Sequence, residues 1–108
     1  MIKPSKVVFI SDELEKDFNS LKEDDFIKKA IIRAIQDLKE NAFSGIQVPK
    51  RLIPKIYIQK YKINNLWKYD LPKGWRLLYT VTAKNEVELI SAILEWFNHK
   101  GYERKFKY

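Results

Sequence analysis

The side chains best suited to chemistry gather at the end of the chain. The stretch His99-Lys100-Gly101-Tyr102-Glu103-Arg104-Lys105-Phe106 packs an imidazole, a phenol and several cations into a few positions. Those groups can serve a ribonuclease that uses no metal. Cleavage by attack of a ribose 2′-hydroxyl needs a proton acceptor, a donor for the leaving oxygen and fixed cations around a phosphorane-like transition state. Other chemistries lack their residues. With no cysteine there is no thiol nucleophile, disulfide or cysteine zinc site, and the single histidine, His99, leaves little for a transition metal. No Gly-rich phosphate loop, dinucleotide fingerprint, His-Glu-x-x-His motif or serine-nucleophile elbow occurs, so no nucleotide cofactor and no metal is expected.

Charge points the same way. Lys and Arg number 21 against 14 acids, a net charge of +7 that favours polyanions or acidic proteins as partners. Its distribution says more than its sum. Residues 12–40 hold nine acids and six bases, whereas Val48 to Tyr79 holds eight bases and one acid, Asp70. Such a stretch concentrates phosphate groups in a salt-sensitive way; a lysine-rich solubilising surface is the plainer explanation.

A length of 108 residues and a 45% hydrophobic composition define one globular domain spanning 1–108. The longest apolar run, Val7 to Ile10, falls far short of the roughly 20 residues that cross a bilayer. With no signal-peptide pattern at the start, a cytoplasmic protein without a membrane partner is expected.

The elements that must position the tail follow from periodicity. Lys6 to Ile10 reads as a strand, and Asp12 with Glu15 forms a capping-box pattern opening a short helix with Leu14, Phe18 and Leu21 on one side. A second helix begins near Asp24 and Asp25, its apolar stripe running through Phe26, Ile27, Ala30, Ile31, Ala34, Ile35 and Leu38. Asn41 to Gly45 ends it. The connection through Pro49 and Pro54 is expected to be non-helical.

Leu66 to Leu71 and Trp75 to Thr82 read as a hairpin around Pro72-Lys73-Gly74. With Leu71 facing Trp75, one face carries Trp67, Tyr69, Leu71, Trp75, Leu77 and Tyr79; the other carries Lys68, Asp70, Arg76, Leu78 and Thr80. Val87 to Phe97 is a last long strand. The expected fold is α+β in the order β-α-α-β-β-β, a helical hairpin packed on one face of a small antiparallel sheet. The second face is left carrying cations, flanked by the basic tail.

The stretch from Lys60 to Tyr79, with Trp75-Arg76-Leu77-Leu78-Tyr79 at its centre, and Glu95-Trp96-Phe97-Asn98-His99-Lys100-Gly101-Tyr102-Glu103-Arg104 resemble the RelE/ParE toxin superfamily, particularly archaeal RelE-like members. The resemblance implies a type II toxin neutralised by a protein antitoxin. RelE-like members enter the ribosome and cut mRNA; ParE-like members inhibit DNA gyrase. Carried over, Arg76 matches the strand arginine at the scissile phosphate and Tyr102 the C-terminal tyrosine that moves protons. His99 resembles the tail histidine of the YoeB-like branch, and Lys60, Lys62 and Lys68, with Arg104 of the tail, the cations that hold RNA. That branch's glutamate base has no identified counterpart. The expected function is therefore a ribosome-dependent, metal-independent mRNA endoribonuclease, with a ParE-like gyrase inhibitor or an inactive RNA-binding module as alternatives.

Each residue also has a quieter reading. Arg76 opposite Asp70 is satisfied by a cross-strand ion pair worth about 0.2–1 kcal/mol. His99 reads equally as a solvated residue after a strand, Tyr102 as a ring packed on the sheet end, and Trp67, Trp75 and Trp96 as core.

Overall fold

The computed structural model describes residues 2–106, the side chains of 102–105 excepted. Strand β1 (Ser5–Phe9) leads into helices α1 (Asp12–Ser20) and α2 (Phe26–Glu40). A short strand β2 (Ile46–Gln47), a 3₁₀ turn (Lys50–Leu52) and helix α3 (Lys55–Tyr61) follow. Strands β3 (Trp67–Asp70), β4 (Arg76–Ala83) and β5 (Leu89–Phe97) and helix α4 (His99–Phe106) complete the chain. The result is a mixed α+β protein with a five-stranded sheet in the order β1-β5-β4-β3-β2.

Local signals explain most of these boundaries. Ser11, rather than Asp12, caps α1: its hydroxyl accepts from the Leu14 amide at 3.1 Å, leaving Asp12 in the first turn where a negative charge also suits the helix dipole. Asp25 caps α2 through Oδ1 and the Ile27 amide at 2.9 Å. The apolar stripe of α2 then buries Ile27, Ala30, Ile31, Ala34 and Leu38 against Leu71, Leu77, Tyr79 and Ile93 of the sheet region, with Trp67, Trp75 and Trp96 packed around them. Lys28 shares that interior, 7% exposed. Its ammonium is held by Glu23 at 2.6 Å and the Leu21 carbonyl at 3.1 Å, tying the α1–α2 turn to α2.

The β3–β4 hairpin has the expected register, Trp67 opposite Tyr79, Tyr69 opposite Leu77 and Asp70 opposite Arg76. Its turn needs left-handed backbone at Lys73 (φ 61°) and at Gly74 (φ 77°), the latter a conformation that glycine adopts without penalty.

Three expectations are corrected. The sheet is not wholly antiparallel, because β1 runs parallel to β5 in the register Val7 opposite Ser91 and Phe9 opposite Ile93. The α1–α2 hairpin intervenes between β1 and the rest of the sheet, so the first strand need not return beside its sequence neighbour. The proline-bounded connection is not devoid of helix: α3 starts immediately after Pro54, since proline forbids the helix interior but tolerates its start. Finally, the second sheet face is not an open cationic surface. A second core of Val48, Ile53, Tyr57, Ile63, Leu66, Leu78 and Leu94 covers much of it, brought there by α3 and its flanking loops.

Two polar anchors hold this cover in place. The Asn65 side chain bonds the Val81 backbone on both sides, Nδ2 to the carbonyl and Oδ1 from the amide, each at 2.9 Å. The Thr80 hydroxyl, on a residue only 2% exposed, donates to the Asn65 carbonyl at 2.9 Å. Leu78 and Thr80 are therefore interior residues.

Candidate nucleic-acid interface

At the end of the sheet that meets α4, charged residues lie partly exposed on the α3 side. Asp70, Arg76 and Phe97 lie in register across β3, β4 and β5, and one step further Lys68, Leu78 and Glu95 do the same. The Arg76 side chain is 19% exposed, and its Nε lies 3.0 Å from Asp70 Oδ1, a charge contact rather than an aligned hydrogen bond. One terminal nitrogen donates to the Trp75 carbonyl at 3.2 Å. The guanidinium is thus neither sealed beneath packing atoms nor loose: a half-exposed aspartate and its own backbone hold it at the rim of the second core.

Glu95 owes its place to an irregularity. Tyr79 pairs with Ile93 and Leu78 with Glu95, so Leu94 is an extra residue in β5. Strict alternation would put residues 93 and 95 on one face. Ile93 lies in the core under α2 and Leu94, by ordinary alternation, in the core under α3; the bulge then sets Glu95 on the Leu94 side, the Arg76 face. This carboxylate escaped sequence reasoning, because a bulge carries no local signature in Ala92-Ile93-Leu94-Glu95.

His99 opens α4 at the adjoining turn. A β-carbon built on Gly74 would sit 3.5 Å from the His99 β-carbon, so the imidazole is rooted beside the β3–β4 turn, two residues from Arg76 along the chain. Asn98 caps this helix by accepting from the Gly101 amide at 2.9 Å, which fixes where His99 leaves the strand. Its side chain is exposed. Tyr102 and Arg104 fall within α4, but their side chains lie outside the described residues.

The lysines divide. Lys68 stands half-buried on β3, on the Arg76 face. Lys60, on α3, extends over the Tyr61 ring at 5.3 Å and lines a cavity of about 530 Å³ together with Tyr57, Glu13, Asp17 and Glu95. Glu13, Asp17 and Glu95 share its wall with Lys60, so the cavity itself is acidic. Lys62 is exposed at the left-handed C-cap of α3 (φ 57°). The structure therefore gathers Arg76, Lys68, Glu95 and His99 at one end of the sheet, and Lys60 shares only a cavity wall with Glu95.

Two tyrosines have their hydroxyls engaged in structural hydrogen bonds. Burial pushes the Tyr79 phenol up to about 12. It donates to the Ala42 carbonyl at 2.8 Å and accepts from the Gly45 amide at 3.0 Å. Tyr69 is likewise pushed up to about 12, by burial first and then by its hydrogen bond to the Asp37 carboxylate. Both phenols brace the β3–β4 hairpin against the end of α2 and the segment that follows it.

The end of the sheet therefore offers a guanidinium paired with the Asp70 carboxylate, an ammonium, a second carboxylate and an imidazole. Such a set can bind a phosphodiester and exchange protons with it. No family model matches the chain, and neither the curated proteins nor the solved structures contain a match. Among the described residues no helix is long and apolar enough to cross a membrane.

Proposed function

We propose that this protein is a RelE-like toxin, an endoribonuclease that cuts mRNA on the ribosome without a metal and is neutralised by a protein antitoxin. One observation carries the reading: the bulge at Leu94 puts a carboxylate, Glu95, on the same sheet face as Arg76 and Lys68, with His99 at the adjoining turn. In this reading Glu95 accepts the proton of the 2′-hydroxyl, whose oxygen then attacks the phosphorus. The bond from phosphorus to the 5′-oxygen breaks, leaving a 2′,3′-cyclic phosphate and a 5′-hydroxyl. His99 and Tyr102 supply the proton that the departing oxygen takes up. Arg76 stabilises the charge gathered on the phosphoryl oxygens, and Lys68, Lys60, Lys62 and Arg104 hold the flanking backbone. The charge contact with Asp70 sets the guanidinium in place and must be exchanged, at least in part, for the phosphate.

The test is induction in growing cells followed by primer extension on cellular mRNA. Codon-phased cuts are expected, and Arg76→Ala and Glu95→Gln should each reduce them by about 10²- to 10⁴-fold, the contribution of a positioned catalytic group. Both variants should melt with the parent protein. Undiminished cutting in both would remove the assignment. DNA damage without mRNA cuts would indicate a gyrase inhibitor instead, and salt-dependent RNA binding without cleavage on programmed ribosomes an inactive module.

A further inference from the structure

The cavity of about 530 Å³ shared by α1, α3 and the end of β5 has the size of a small-molecule site, and its charge is the reverse of the protein's. On a chain of net charge +7, Glu13, Asp17 and Glu95 line it against one ammonium among the described residues, that of Lys60. Glu13 and Asp17 stand one turn apart on α1, a spacing at which like charges repel and weaken a helix. Among the described residues neither has an ion-pair partner, although the chain carries 21 lysines and arginines. The helix thus turns an unneutralised pair of carboxylates towards a cavity.

The aromatic wall supplies a second, independent observation. Tyr57 and Tyr61 stack with their centroids 6.0 Å apart, and Trp96 lines the β5 side. Ring faces are electronegative and attract cations. The molecule's own Lys60 already answers that attraction, its Nζ 5.3 Å from the Tyr61 centroid. Leu14 and Ile56 add aliphatic surface. The carboxylates, moreover, do not converge: among the described residues no three carboxylate or imidazole groups are placed to hold one metal ion. A compact ion would leave most of this lining unused, whereas a chain whose ammonium groups are set apart by methylenes can meet the carboxylates in turn and cover the rings between them.

We propose that this cavity binds a linear polyamine, its ammonium groups paired with Glu13, Asp17 and Glu95 and its methylenes laid over Tyr61, Trp96 and Ile56. Three or four methylenes between ammonium groups match the separation of carboxylates one helical turn apart. A free amine suits the space better than the lysines of a protein, whose ammonium groups hang from separate stems and would bring a peptide backbone into a site of this size. Such binding does not depend on whether the Arg76 end of the sheet cleaves RNA, and it is measured with no RNA present.

The probe is spermidine, titrated calorimetrically into the full chain at about 0.15 M salt, where long-range attraction is screened. A chain so positive repels polycations in general, so saturation reports a site. One-to-one binding is expected, with amide shifts centred on residues 11–17, 56–61 and 94–96. Glu13→Gln combined with Asp17→Asn, both on the exposed face of α1, should weaken binding about tenfold without moving the melting temperature downward. Tyr61→Leu should weaken it about three- to tenfold. Lys60→Gln removes the tethered competitor and should strengthen binding about threefold or more. Lys55→Gln makes the same charge change on the same helix outside the cavity and should leave affinity within about twofold. Any one of five results would overturn the proposal: no saturation at millimolar spermidine; equal binding of Mg²⁺ to the same amides; tighter binding of a trilysine peptide there; undiminished affinity in the Glu13/Asp17 double variant; or equal effects of Lys60→Gln and Lys55→Gln, which would reduce the cavity to a diffuse field.

Discussion

Two layers cover the same strands, and they are built differently. Under α1 and α2 the sheet presents Leu77, Tyr79 and Ile93 to a continuous helical stripe, and the polar groups there are structural: the Tyr79 hydroxyl is committed to Ala42 and Gly45, and Tyr69 to Asp37. Under α3 the cover is a short helix with its loops, joined by Phe106 of α4; it buries Leu78 and Leu94 and leaves Arg76, Lys68 and Glu95 partly exposed. A complete cover leaves no room for chemistry; an incomplete one leaves a rim of charged side chains anchored in a core. The contrast explains how so basic a segment folds, because its apolar positions are shared between two cores while its cations stay at the edges.

The sharpest way to break this comparison is to truncate one residue on each face. Leu77→Ala and Leu78→Ala should each destabilise by about 2–5 kcal/mol in urea melts, since both side chains are fully buried. A loss below about 0.5 kcal/mol for Leu78→Ala, the range of surface substitutions, would restore the open second face.

Alkaline titration probes the α2 side next. Tyr79 is raised from 10.0 to about 12, so the folded state holds its proton more tightly than the unfolded chain. The associated stability is fully present below pH 10 and is lost as pH rises towards 12. For so buried a phenol the loss is on the order of 2 kcal/mol; Tyr79→Phe should remove this share and leave the smaller one of Tyr69, which is raised in the same direction.

Gly45 sharpens the packing of the same region. A β-carbon there would strike the Lys68 carbonyl and stand 2.8 Å from the Tyr79 hydroxyl. Gly45→Ala should therefore cost about 1–3 kcal/mol by overpacking, read from the thermal midpoint. The smallest effect belongs to the rim. Asp70→Asn should change stability by only about 0.2–1 kcal/mol, because the aspartate is half-exposed. It should nevertheless strengthen salt-dependent RNA binding by releasing Arg76 from its carboxylate, whereas weaker binding would show that the ion pair orients the guanidinium productively.

Much of this architecture is legible in the sequence. The stripe from Phe26 to Leu38 has only one helical reading, Asp24 and Asp25 mark the region of its start, and alternation through Trp67-Lys68-Tyr69-Asp70 and Arg76-Leu77-Leu78-Tyr79 sets the hairpin register, because side chains on a pleat must alternate. The candidate site was legible in part. His99 stood out by residue type and Arg76 through the resemblance to the RelE/ParE superfamily, but Glu95 did not, since a bulge is chosen by the packing on both faces of β5 rather than by the residues within it.

The sequence by itself determined which stretches are amphipathic, with what period, and where the positive charge accumulates, all of which depend on neighbours a few residues apart. Only the tertiary structure decided that the first strand lies parallel to the last, that residues 55–61 form a helix over the second face, and that Leu94 is the extra residue that swings Glu95 round to Arg76. Those outcomes rest on contacts between distant segments, whose burial outweighs the weak local preferences of the residues that make them.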